Sequence, residues 1–408
     1  MGLLSIVEGA REAGEARAGE RTPAHGLAAT GPAAAPVIAV EGDLDGLLAL
    51  EADWRALERQ TARPGQVFQS FDWCSAWTQA GAGDADVQLR IVTARVEGRL
   101  VLVWPLMQVR TGPFCVLRWL SDPYSQYGDV LVEAGAGSEP VLAAAWGHIR
   151  ALPGIDAIRL RHVRADAAVA GFLARHCRPA GAADCAPCLD LTAYRDEAAY
   201  DQRYTRTQRR RRRRIRQKLE ERGALDFRLL TGGPEFDRLI ERVVAEKRAW
   251  LAARGLHSRP LADPRLTDFI RQLAAGSDLQ VALSVLSAGG EAVAFEIGLR
   301  YAQHHFGYIT ARDARLANTS PARLHTDMSQ RRAMADGMRV FDLMVPGDPY
   351  KVSWSNVSVP VFDLYAPLTW LGRLYGFGYL EGLRPLMRRA YHAAPPGLRR
   401  HSRRLIGG

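Results

Sequence analysis

The sequence contains no long apolar segment. No run of about 18 or more apolar residues occurs in its 408 residues, so we expect no transmembrane helix. Residues 1–35 are rich in Ala, Gly, Glu and Arg, and they lack the continuous apolar core of a signal peptide. This composition predicts a mobile, low-complexity leader on a cytoplasmic protein.

Cysteine is scarce. The chain has 5 Cys, which is too few for a disulfide scaffold. Cys185 and Cys188 are spaced as a Cys-x-x-Cys pair, with His176 and Cys177 just upstream, but the sequence offers no second pair to complete a zinc site. We therefore predict no bound metal, and scattered thiols suit a reduced cytoplasmic setting.

Several catalytic signatures are also missing. The chain has no GxSxG, HExxH, Walker or GxGxxG pattern in a suitable strand and helix context. Their absence argues against a nucleophile elbow, a zinc protease, a P-loop and a dinucleotide-binding strand. The composition, with 47% hydrophobic and 24% charged residues, is that of a globular protein long enough for two domains.

Positive charge is abundant. The net charge of +10 favours anionic partners such as a nucleotide cofactor, nucleic acid or a membrane surface. Arg209–Arg214 is a run of consecutive arginines, and in a helix such a run covers more than one turn, so its members cannot share one face. The run indicates a solvated helix; a positive rim for a nucleotide or RNA is the alternative. It contains no aromatic residue for base stacking, so we do not favour nucleic-acid binding.

The order of predicted elements indicates an α+β protein with two similar halves, each with helices before a long hairpin. We predict one helix over Phe71–Ala80 and another that begins at Glu197 and continues through the arginine run. The predicted domains are a leader over 1–35, an N-terminal domain over 36–190, a C-terminal domain over 191–364 and a basic tail over 365–408. The tail is either an amphipathic element for an anionic membrane surface or, as we prefer, a packed helix with a frayed end.

The strand Phe306–Thr310 leads through an Arg-rich loop to Ser320-Pro321. Ser at the N-cap and Pro at the first helical position make a good helix start, whose backbone N–H groups suit an anion. Three nearby arginines would add charge-assisted contacts to a pyrophosphate: Arg312, Arg315 and Arg323.

A carboxylate stands inside the next apolar strand. Asp342 would be costly there unless it is paired or used, and Lys351 is a natural partner across the Pro346–Pro349 turn. The pair is either structural or a base that takes a proton from an incoming nucleophile. His304 and His305 are further candidates for a base, but neighbours in a strand point to opposite faces, so at most one can face a cleft.

The segment from this carboxylate onward resembles a known family. Asp342-Leu-Met-Val-Pro-Gly-Asp348-Pro-Tyr350-Lys351-Val-Ser-Trp354 is similar to the D-x-G-x-G-D-x-x-Y-K-x-x-W ending of bacterial acyltransferases linked to cellulose and exopolysaccharide biosynthesis. That family belongs to the GNAT superfamily and is related to the Fem-type peptidoglycan aminoacyltransferases. The resemblance covers residues 40–365.

The resemblance implies two tandem GNAT-like domains, with mixed sheets flanked by helices, and acetyl-CoA or another acyl-CoA as a co-substrate that is not permanently bound. The implied donor contacts are Tyr308, Ile309, Thr310, Arg312, Arg315, Ser320, Ala322 and Arg323. The expected acceptor contacts are Tyr124, Asp129, Asp348, Tyr350 and Trp354. We assign the catalytic role to Asp342, as a base or an orienter of the acceptor, with Lys351 as its partner.

We therefore predict an acyltransferase that moves an acyl group from acyl-CoA to an amine or hydroxyl of a sugar or cell-envelope precursor by direct attack. One alternative is a Fem-type transferase that uses aminoacyl-tRNA. Another is a catalytically degenerate GNAT pair that acts as a scaffold at the membrane surface through its basic tail. The predicted location is cytoplasmic, peripheral to the inner membrane if the tail binds lipid.

Overall fold

The computed structural model describes residues 34–61, 63–81, 86–135, 137–276, 278–383 and 386. Within this part, the chain forms two compact units. Unit 1 contains the residues up to Asp184 and takes up the chain again at Val359, while unit 2 contains Cys185–Ser358.

The secondary structure is mixed. The helices are α1 (Leu44–Ala49), α2 (Glu51–Thr61), α3 (Phe71–Ala80), α4 (Ser138–Arg150), α5 (Ala170–His176), α6 (Glu197–Gln202), α7 (Arg206–Glu220), α8 (Pro234–Ala253), α9 (Arg259–Ala262), α10 (Leu266–Ala274), α11 (Pro321–Ala335), α12 (Pro349–Val352) and α13 (Trp370–Arg373). The strands are β1 (Val37–Glu41), β2 (Val87–Val96), β3 (Arg99–Thr111), β4 (Phe114–Trp119), β5 (Leu131–Val132), β6 (Ala157–Arg164), β7 (Arg178–Pro179), β8 (Asp184–Asp190), β9 (Leu225–Leu230), β10 (Gln280–Ala288), β11 (Glu291–Tyr301), β12 (His304–Arg312), β13 (Val340–Asp342) and β14 (Val357–Pro367). Segments of 3₁₀ helix cover Pro64–Gln69, Leu191–Ala193 and Ala314–Thr319, and a π-helical segment covers Leu374–Leu383.

Local sequence signals explain several of these boundaries. The Asp43 side chain accepts a hydrogen bond from Gly46 N at 2.8 Å and caps α1, and Ser70 caps α3. The predicted helix Phe71–Ala80 is confirmed. Glu97 and Gly98 both have positive φ, at 52° and 79°, as the tight hairpin turn between β2 and β3 requires.

Unit 1 is built on a mixed sheet with the strand order β1-β2-β3-β4-β6-β14. Neighbours run antiparallel, except β4 and β6, which pair in parallel. Three buried tryptophans form much of its core: the Trp104 ring lies 6.4 Å from that of Trp119 and 5.8 Å from that of Trp146, in stacked geometry. Burying such large rings contributes strongly to the hydrophobic stabilisation of the unit.

Unit 2 has the strand order β8-β13-β12-β11-β10-β9. Its neighbours are also antiparallel, except β12 and β13, which pair in parallel through His304–Phe306 and Val340–Asp342. Helix α8 packs on β11 and β12, and α11 packs on β10, β11 and β12. The apolar stripe of α8 is buried at four positions, namely Phe236, Ile240, Val243 and Val244.

The two units share one plan. Each has an edge strand and an antiparallel meander that leads to one parallel neighbour, which is β6 in unit 1 and β13 in unit 2. An antiparallel strand pairs with that neighbour in each unit, β14 with β6 in unit 1 and β8 with β13 in unit 2. The predicted α+β class, with mixed sheets flanked by helices, is confirmed, and the duplication inferred from element order is seen in the strand order.

The predicted single helix from Glu197 is wrong. The chain forms α6 and α7 instead, with a break before Arg206. Thr205 explains the break, because its Oγ1 accepts from Gln208 N while Gln208 Oε1 accepts from Thr205 N at 2.8 Å. This reciprocal capping box starts a new helix and ends the continuity of the old one.

The C-terminal domain was predicted to end at residue 364, but the structure returns the chain to unit 1 at Val359. The reason is backbone pairing and burial: β14 pairs with β6, and Tyr375 and Leu380 are buried beside Val116. The basic end of the predicted tail, residues 387–408, and residues 1–33 of the predicted leader lie outside the described residues.

Candidate active site

Unit 2 contains a cavity of about 370 Å³, here named cavity A. Its walls come from β12, the first turns of α11, helix α8, β11 and the segment that follows β13. Of the residues predicted from the sequence to form the site, those that line it are Tyr308, Thr310, Arg312, Ala322, Asp348, Tyr350 and Lys351. Tertiary structure thus brings predicted donor and acceptor residues to one cavity.

Strand β12 forms one wall of cavity A. Its pairing with β13 covers His304–Phe306, and β12 then continues along the cavity. Tyr308 and Thr310 line the cavity, whereas Ile309 is buried and is not among the described residues that line it. Two of the three predicted strand residues therefore lie at cavity A.

Helix α11 begins beside cavity A, but Ser320 does not cap it as predicted. Ser320 has a left-handed backbone, with φ 54° and ψ 48°, and its side chain makes no capping hydrogen bond. The 3₁₀ segment Ala314–Thr319 runs directly into this residue, where the chain changes direction at a cost of about 1–2 kcal/mol for a residue other than glycine. The helix start still reaches the cavity, because Ala322 lines it.

The three predicted anion-binding arginines have different surroundings. Arg312 lines cavity A, and its Nη1 is buried without a hydrogen-bond partner among the described residues. Arg315 donates to Asp313 at 2.6 Å, and its side chain is 73% exposed. Arg323 lies over the ring of Tyr350, with Cζ 5.5 Å from the ring centre. Arg312 is therefore the best placed of the three to contact a ligand in cavity A.

The two predicted catalytic residues, Asp342 and Lys351, both bond to backbone groups in the turn that follows β13. Asp342 is buried, and its Oδ1 accepts from Met344 N at 2.7 Å. Lys351 Nζ donates to the carbonyl oxygens of Met344 and Val345, at 2.9 and 3.0 Å. Lys351 lines cavity A, whereas Asp342 is not among the described residues that line it. A catalytic role for either residue stays a prediction.

A buried carboxylate that the sequence analysis missed lines cavity A. Glu296 Oε1 lies 2.7 Å from Nε2 of His305, and both residues are 2% exposed. Burial by itself would raise the pKa of Glu296, but the hydrogen bond from His305 and the surrounding charges hold that pKa below its ordinary value. Glu296 could have been found from the sequence, because it stands inside an apolar strand as Asp342 does.

Helix α8 contributes both charged and aromatic residues to the wall of cavity A. Glu246, Lys247 and Trp250 all line cavity A, and Lys247 Nζ lies 4.9 Å from the centre of the Trp250 ring. Burial and then the charge of Arg254 lower the pKa of Lys247. Trp250 follows the apolar spacing of α8, and helical spacing alone does not distinguish a core position from a cavity wall.

A second cavity of about 460 Å³, here named cavity B, shares Tyr350 with cavity A. Trp354 lines it, as do Arg211 and Arg212 of α7 and Arg323 of α11. The predicted acceptor residue Trp354 therefore lines this neighbouring cavity. Cavity B is rich in arginine and aromatic rings, which are surroundings that favour an anionic ligand.

The arginines of the run Arg209–Arg214 differ in burial, because successive positions of a helix lie on different faces. Arg212 turns inward, with Cζ 3.1 Å from the centre of the Tyr204 ring and 4.4 Å from that of Trp354, and it donates to Asp327. The remaining members are exposed, namely Arg209, Arg210, Arg211, Arg213 and Arg214. The predicted solvated helix is thus confirmed for these five, and Arg212 is the exception.

Tyr124 and Asp129 are built into unit 1. Both are buried, and the Asp129 carboxylate accepts from the N–H groups of Val130, Ala168 and Val169 at 2.8, 3.0 and 3.1 Å. Burial raises the pKa of Asp129 to about 6, although these hydrogen bonds act in the opposite direction. Contact of either residue with an acceptor stays a prediction.

In the described part of the chain, no helix combines the length and the apolar character needed to cross a membrane. Among the same residues, no group of three or more His, Cys, Asp and Glu side chains is arranged to hold a metal ion. The Cys-x-x-Cys pair lies on β8, where Cys188 is buried within the sheet.

Comparison with known proteins identifies the fold. Residues 206–352, which lie within unit 2, match the family described as acetyltransferase (GNAT) domain. No curated protein sequence matches the chain. Among solved structures, the chain is similar to FemX, with a TM-score of 0.56 and 10% identity over 80% of this chain and 97% of that chain.

Two further structures are similar over most of their length. The tandem GNAT protein from the clavulanic acid biosynthesis pathway has a TM-score of 0.46 and 14% identity, with 82% of this chain and 99% of that chain covered. L-PGS from Bacillus licheniformis has a TM-score of 0.47 and 13% identity, with 80% and 96% covered. Identities this low indicate fold alone, and these two TM-scores lie below 0.5. The chain has a mixed α+β GNAT-like fold, and residues 206–352 match a GNAT acetyltransferase domain.

Proposed function

We propose that this protein transfers an acyl group from acyl-CoA to an amine or hydroxyl of a sugar or cell-envelope precursor by direct attack of the acceptor on the thioester. The observation that carries the proposal is cavity A, where residues predicted for the two substrates share one space. Tyr308 and Thr310 line it from β12, Ala322 from α11, and Asp348 and Lys351 from the segment after β13.

The donor would lie along β12 with its pyrophosphate at the start of α11. Helix α11 has 15 residues, so its N-terminal dipole and N–H groups favour an anion at Ala322. The Nη1 of Arg312, which has no hydrogen-bond partner in the described part of the chain, supplies a charge-assisted donor on the same cavity wall. A backbone N–H of β12 would stabilise the oxyanion that develops as the thioester carbonyl is attacked.

The acceptor would occupy the part of cavity A beside α8 and the segment after β13. Trp250 offers an aromatic surface for a sugar ring, and Asp348 and Tyr350 offer polar groups for its hydroxyls or amine. In this proposal Asp342 orients the acceptor side by holding Met344 N, and Lys351 holds the same turn through two carbonyl oxygens.

Donor binding is tested with two thioesters. Isothermal titration calorimetry should detect acetyl-CoA binding, and Arg312→Ala should weaken it about 10- to 100-fold, the effect of one charge-assisted hydrogen bond. Acetyl-pantetheine lacks the nucleotide and its pyrophosphate, so its weaker binding should be unaffected by Arg312→Ala. The matched control is Arg315→Ala, because Arg315 is 73% exposed and already bonded to Asp313. Absence of acetyl-CoA binding would contradict the proposal.

Acceptor class is tested by the release of CoA thiol in the presence of an acceptor panel. Glucosamine supplies an amine and hydroxyls, glucose supplies hydroxyls alone, and alanine supplies an amine without a sugar. Faster thiol release with either sugar than with alanine would support the proposed class. Preference for alanine would contradict it.

A second candidate function uses aminoacyl-tRNA as the donor, and the exposed arginines of α7 favour it. Arg209, Arg210, Arg211, Arg213 and Arg214 form a basic surface on the matched domain. Thermal shift with charged tRNA against acetyl-CoA separates the two donors. Stabilisation by charged tRNA alone, lost when two exposed arginines are replaced, would favour this candidate; a response to neither donor would favour the scaffold alternative.

A further inference from the structure

Two glycines face each other beside the buried Glu296–His305 pair. Gly298 of β11 is the register partner of Gly307 of β12, and the register shifts between Ile297 and Gly298. A Cβ at Gly298 would lie 2.5 Å from Cε1 of the His305 ring, which real side chains do not tolerate. A Cβ at Gly307 would lie 3.0 Å from Oε2 of Glu296. The two glycines therefore leave the space that the imidazole of His305 and the carboxylate of Glu296 occupy.

The two carboxylate oxygens of Glu296 have different surroundings. Oε1 is bonded to His305 Nε2 at 2.7 Å. Oε2 lies beside Gly307, and both Glu296 and Gly307 line cavity A. One oxygen is thus held by the protein, while the other lies next to a residue with no side chain on the cavity wall. A register shift in paired strands is a common way to redirect a side chain towards a functional site.

We infer that Glu296 is the general base of the transfer and that His305 is its positioning residue; the inference rests on the proposed acyl transfer. The acceptor nitrogen or oxygen attacks the thioester carbonyl carbon and gives its proton to Glu296 Oε2. The carbon–sulfur bond then breaks, and the electron pair leaves with the CoA thiolate. The acceptor carries the acyl group, and the proton returns from Glu296 to the thiolate or to solvent.

The arrangement around His305 keeps the carboxylate in one orientation. The imidazole stacks on the Phe341 ring with centroids 4.5 Å apart, so its plane is set by packing. An ionised carboxylate can only accept, so Nε2 carries the proton in this bond. His305 Nδ1 is buried without a hydrogen-bond partner among the described residues, so within this part of the chain the imidazole is held through the Nε2 bond to Glu296.

The charged groups near Glu296 favour its ionised form, which a base requires. His305, His325 and Arg300 more than offset the cost of burying the carboxylate and lower the pKa of Glu296. The charge of Glu296 is affected by His305 on β12, His325 on α11 and Arg300 on its own strand. The other titratable and charged residues that line cavity A with it are Arg312 on β12, Glu246 and Lys247 on α8, and Asp348, Tyr350 and Lys351 after β13.

The first test compares Glu296→Gln with Glu291→Gln, which changes an exposed carboxylate on the same strand. Acetyl-CoA affinity is measured by calorimetry, and kcat by thiol release with the best acceptor of the panel, or with water if none is used. Glu296→Gln should lower kcat about 100-fold or more and leave affinity for acetyl-CoA within about threefold, because a base acts on the chemical step. Glu291→Gln should leave both within about twofold.

Retention of more than about a tenth of kcat in Glu296→Gln would overturn the assignment. So would a wild-type protein that binds acetyl-CoA but never accelerates thiol release. Failure of the wild type to bind acetyl-CoA is a distinct result, which removes the proposed function and this inference with it. If Glu296→Gln does not fold, Glu296→Asp replaces it: the shortened carboxylate should lower kcat at least about tenfold, and unchanged kcat overturns the assignment.

The second test separates positioning from simple packing at His305. His305→Phe keeps a ring against Phe341 but removes the hydrogen bond, so burial is less offset and the pKa of Glu296 should rise. In the plot of kcat/KM against pH, the rise on the acidic side should then move to higher pH. His305→Gln, whose amide can still donate to Glu296, should keep this rise at the wild-type pH. A folded His305→Phe protein in which this rise is unmoved would overturn the positioning role.

Discussion

The hydroxyl oxygens of Thr326 and Tyr350 lie 3.1 Å apart. Thr326 donates its own proton to the carbonyl of Ala322 at 2.9 Å, so Tyr350 is the donor in the bond between the two hydroxyls. This bond joins the first turns of α11 to α12, and hence joins the proposed donor side of cavity A to the acceptor side.

A double-mutant cycle with Tyr350→Phe and Thr326→Val should measure a coupling free energy of about 1 kcal/mol in urea unfolding, the usual contribution of one hydrogen bond. Each single variant is the control for the other. The same pair should raise KM for acetyl-CoA, because α11 and α12 lose their direct link across the cavity. Strictly additive effects on stability would show that the two hydroxyls do not interact in solution.

Asp342 should act through its hydrogen bond to Met344 N and not as a base. Asn keeps an oxygen that can accept at this position, so Asp342→Asn should retain more than about a third of wild-type kcat. Asp342→Ala removes the acceptor and leaves a buried N–H unpaired, which should destabilise the protein by about 1–3 kcal/mol and lower kcat. Thiol-release kinetics and urea unfolding of both variants provide the comparison. A loss of about 100-fold or more in Asp342→Asn would restore Asp342 as the candidate base.

Arg212 should be the one member of the arginine run whose loss affects folding. Its guanidinium stacks on Tyr204 and Trp354 and donates to Asp327, so Arg212→Ala should lower the free energy of unfolding by about 1–3 kcal/mol. Arg213→Ala, at an exposed neighbouring position, should change it by less than about 0.5 kcal/mol. Equal effects of the two substitutions in urea unfolding would contradict the inward placement of Arg212.

Asp129 should make the stability of unit 1 fall as pH rises from about 4 to 7. Its folded pKa of about 6 exceeds the ordinary value of 3.8, so its stabilising contribution is complete below pH 3.8 and lost as pH rises through 6. A pKa raised by this amount corresponds to about 3 kcal/mol.

Asp129→Asn cannot titrate, so the free energy of unfolding of the wild type minus that of the variant should fall by about 2–3 kcal/mol between pH 4 and pH 7. Urea unfolding between pH 4 and pH 7 measures the difference. Asp166→Asn serves as a control, because the Arg164 guanidinium lowers the pKa of Asp166 below 3.8 although burial acts in the opposite direction, so the stability difference for this variant should change little between pH 4 and pH 7. A difference for Asp129→Asn that does not vary with pH would show that its carboxyl has an ordinary pKa.

Periodicity predicted the regular elements well because their determinants are local. The bounds of Phe71–Ala80 follow from Ser70 as a cap and from apolar spacing, and the Glu97-Gly98 turn follows from the conformations that a tight hairpin needs. The wrong predictions, a single helix from Glu197 and a cap at Ser320, had local causes that apolar spacing over the whole segment did not show. Thr205 interrupted a long helical stripe, and Ser320 took a left-handed conformation in which its side chain does not cap.

The site shows the same division. Short sequence motifs identified the segment from Asp342 to Trp354 and the helix start at Ser320-Pro321. Several residues predicted from these motifs line cavity A. The sequence marks Glu296 only as a charged residue inside an apolar strand, and its place in the site depends on His305 and Gly307, which lie on the next strand. Trp250 was missed because helical spacing cannot tell a core position from a cavity wall.

The α+β class, the repeated order of elements and the candidate donor and acceptor segments could be predicted from the sequence, since these depend on periodicity, capping and short motifs. Which of the candidate residues lie together depends on the three-dimensional fold. It turned Arg212 inward and left five neighbouring arginines exposed, and it brought Tyr308, Ala322 and Lys351 to one cavity. It also put a carboxylate beside an imidazole, because strand register aligns residues that are distant in sequence, and no local pattern encodes that register.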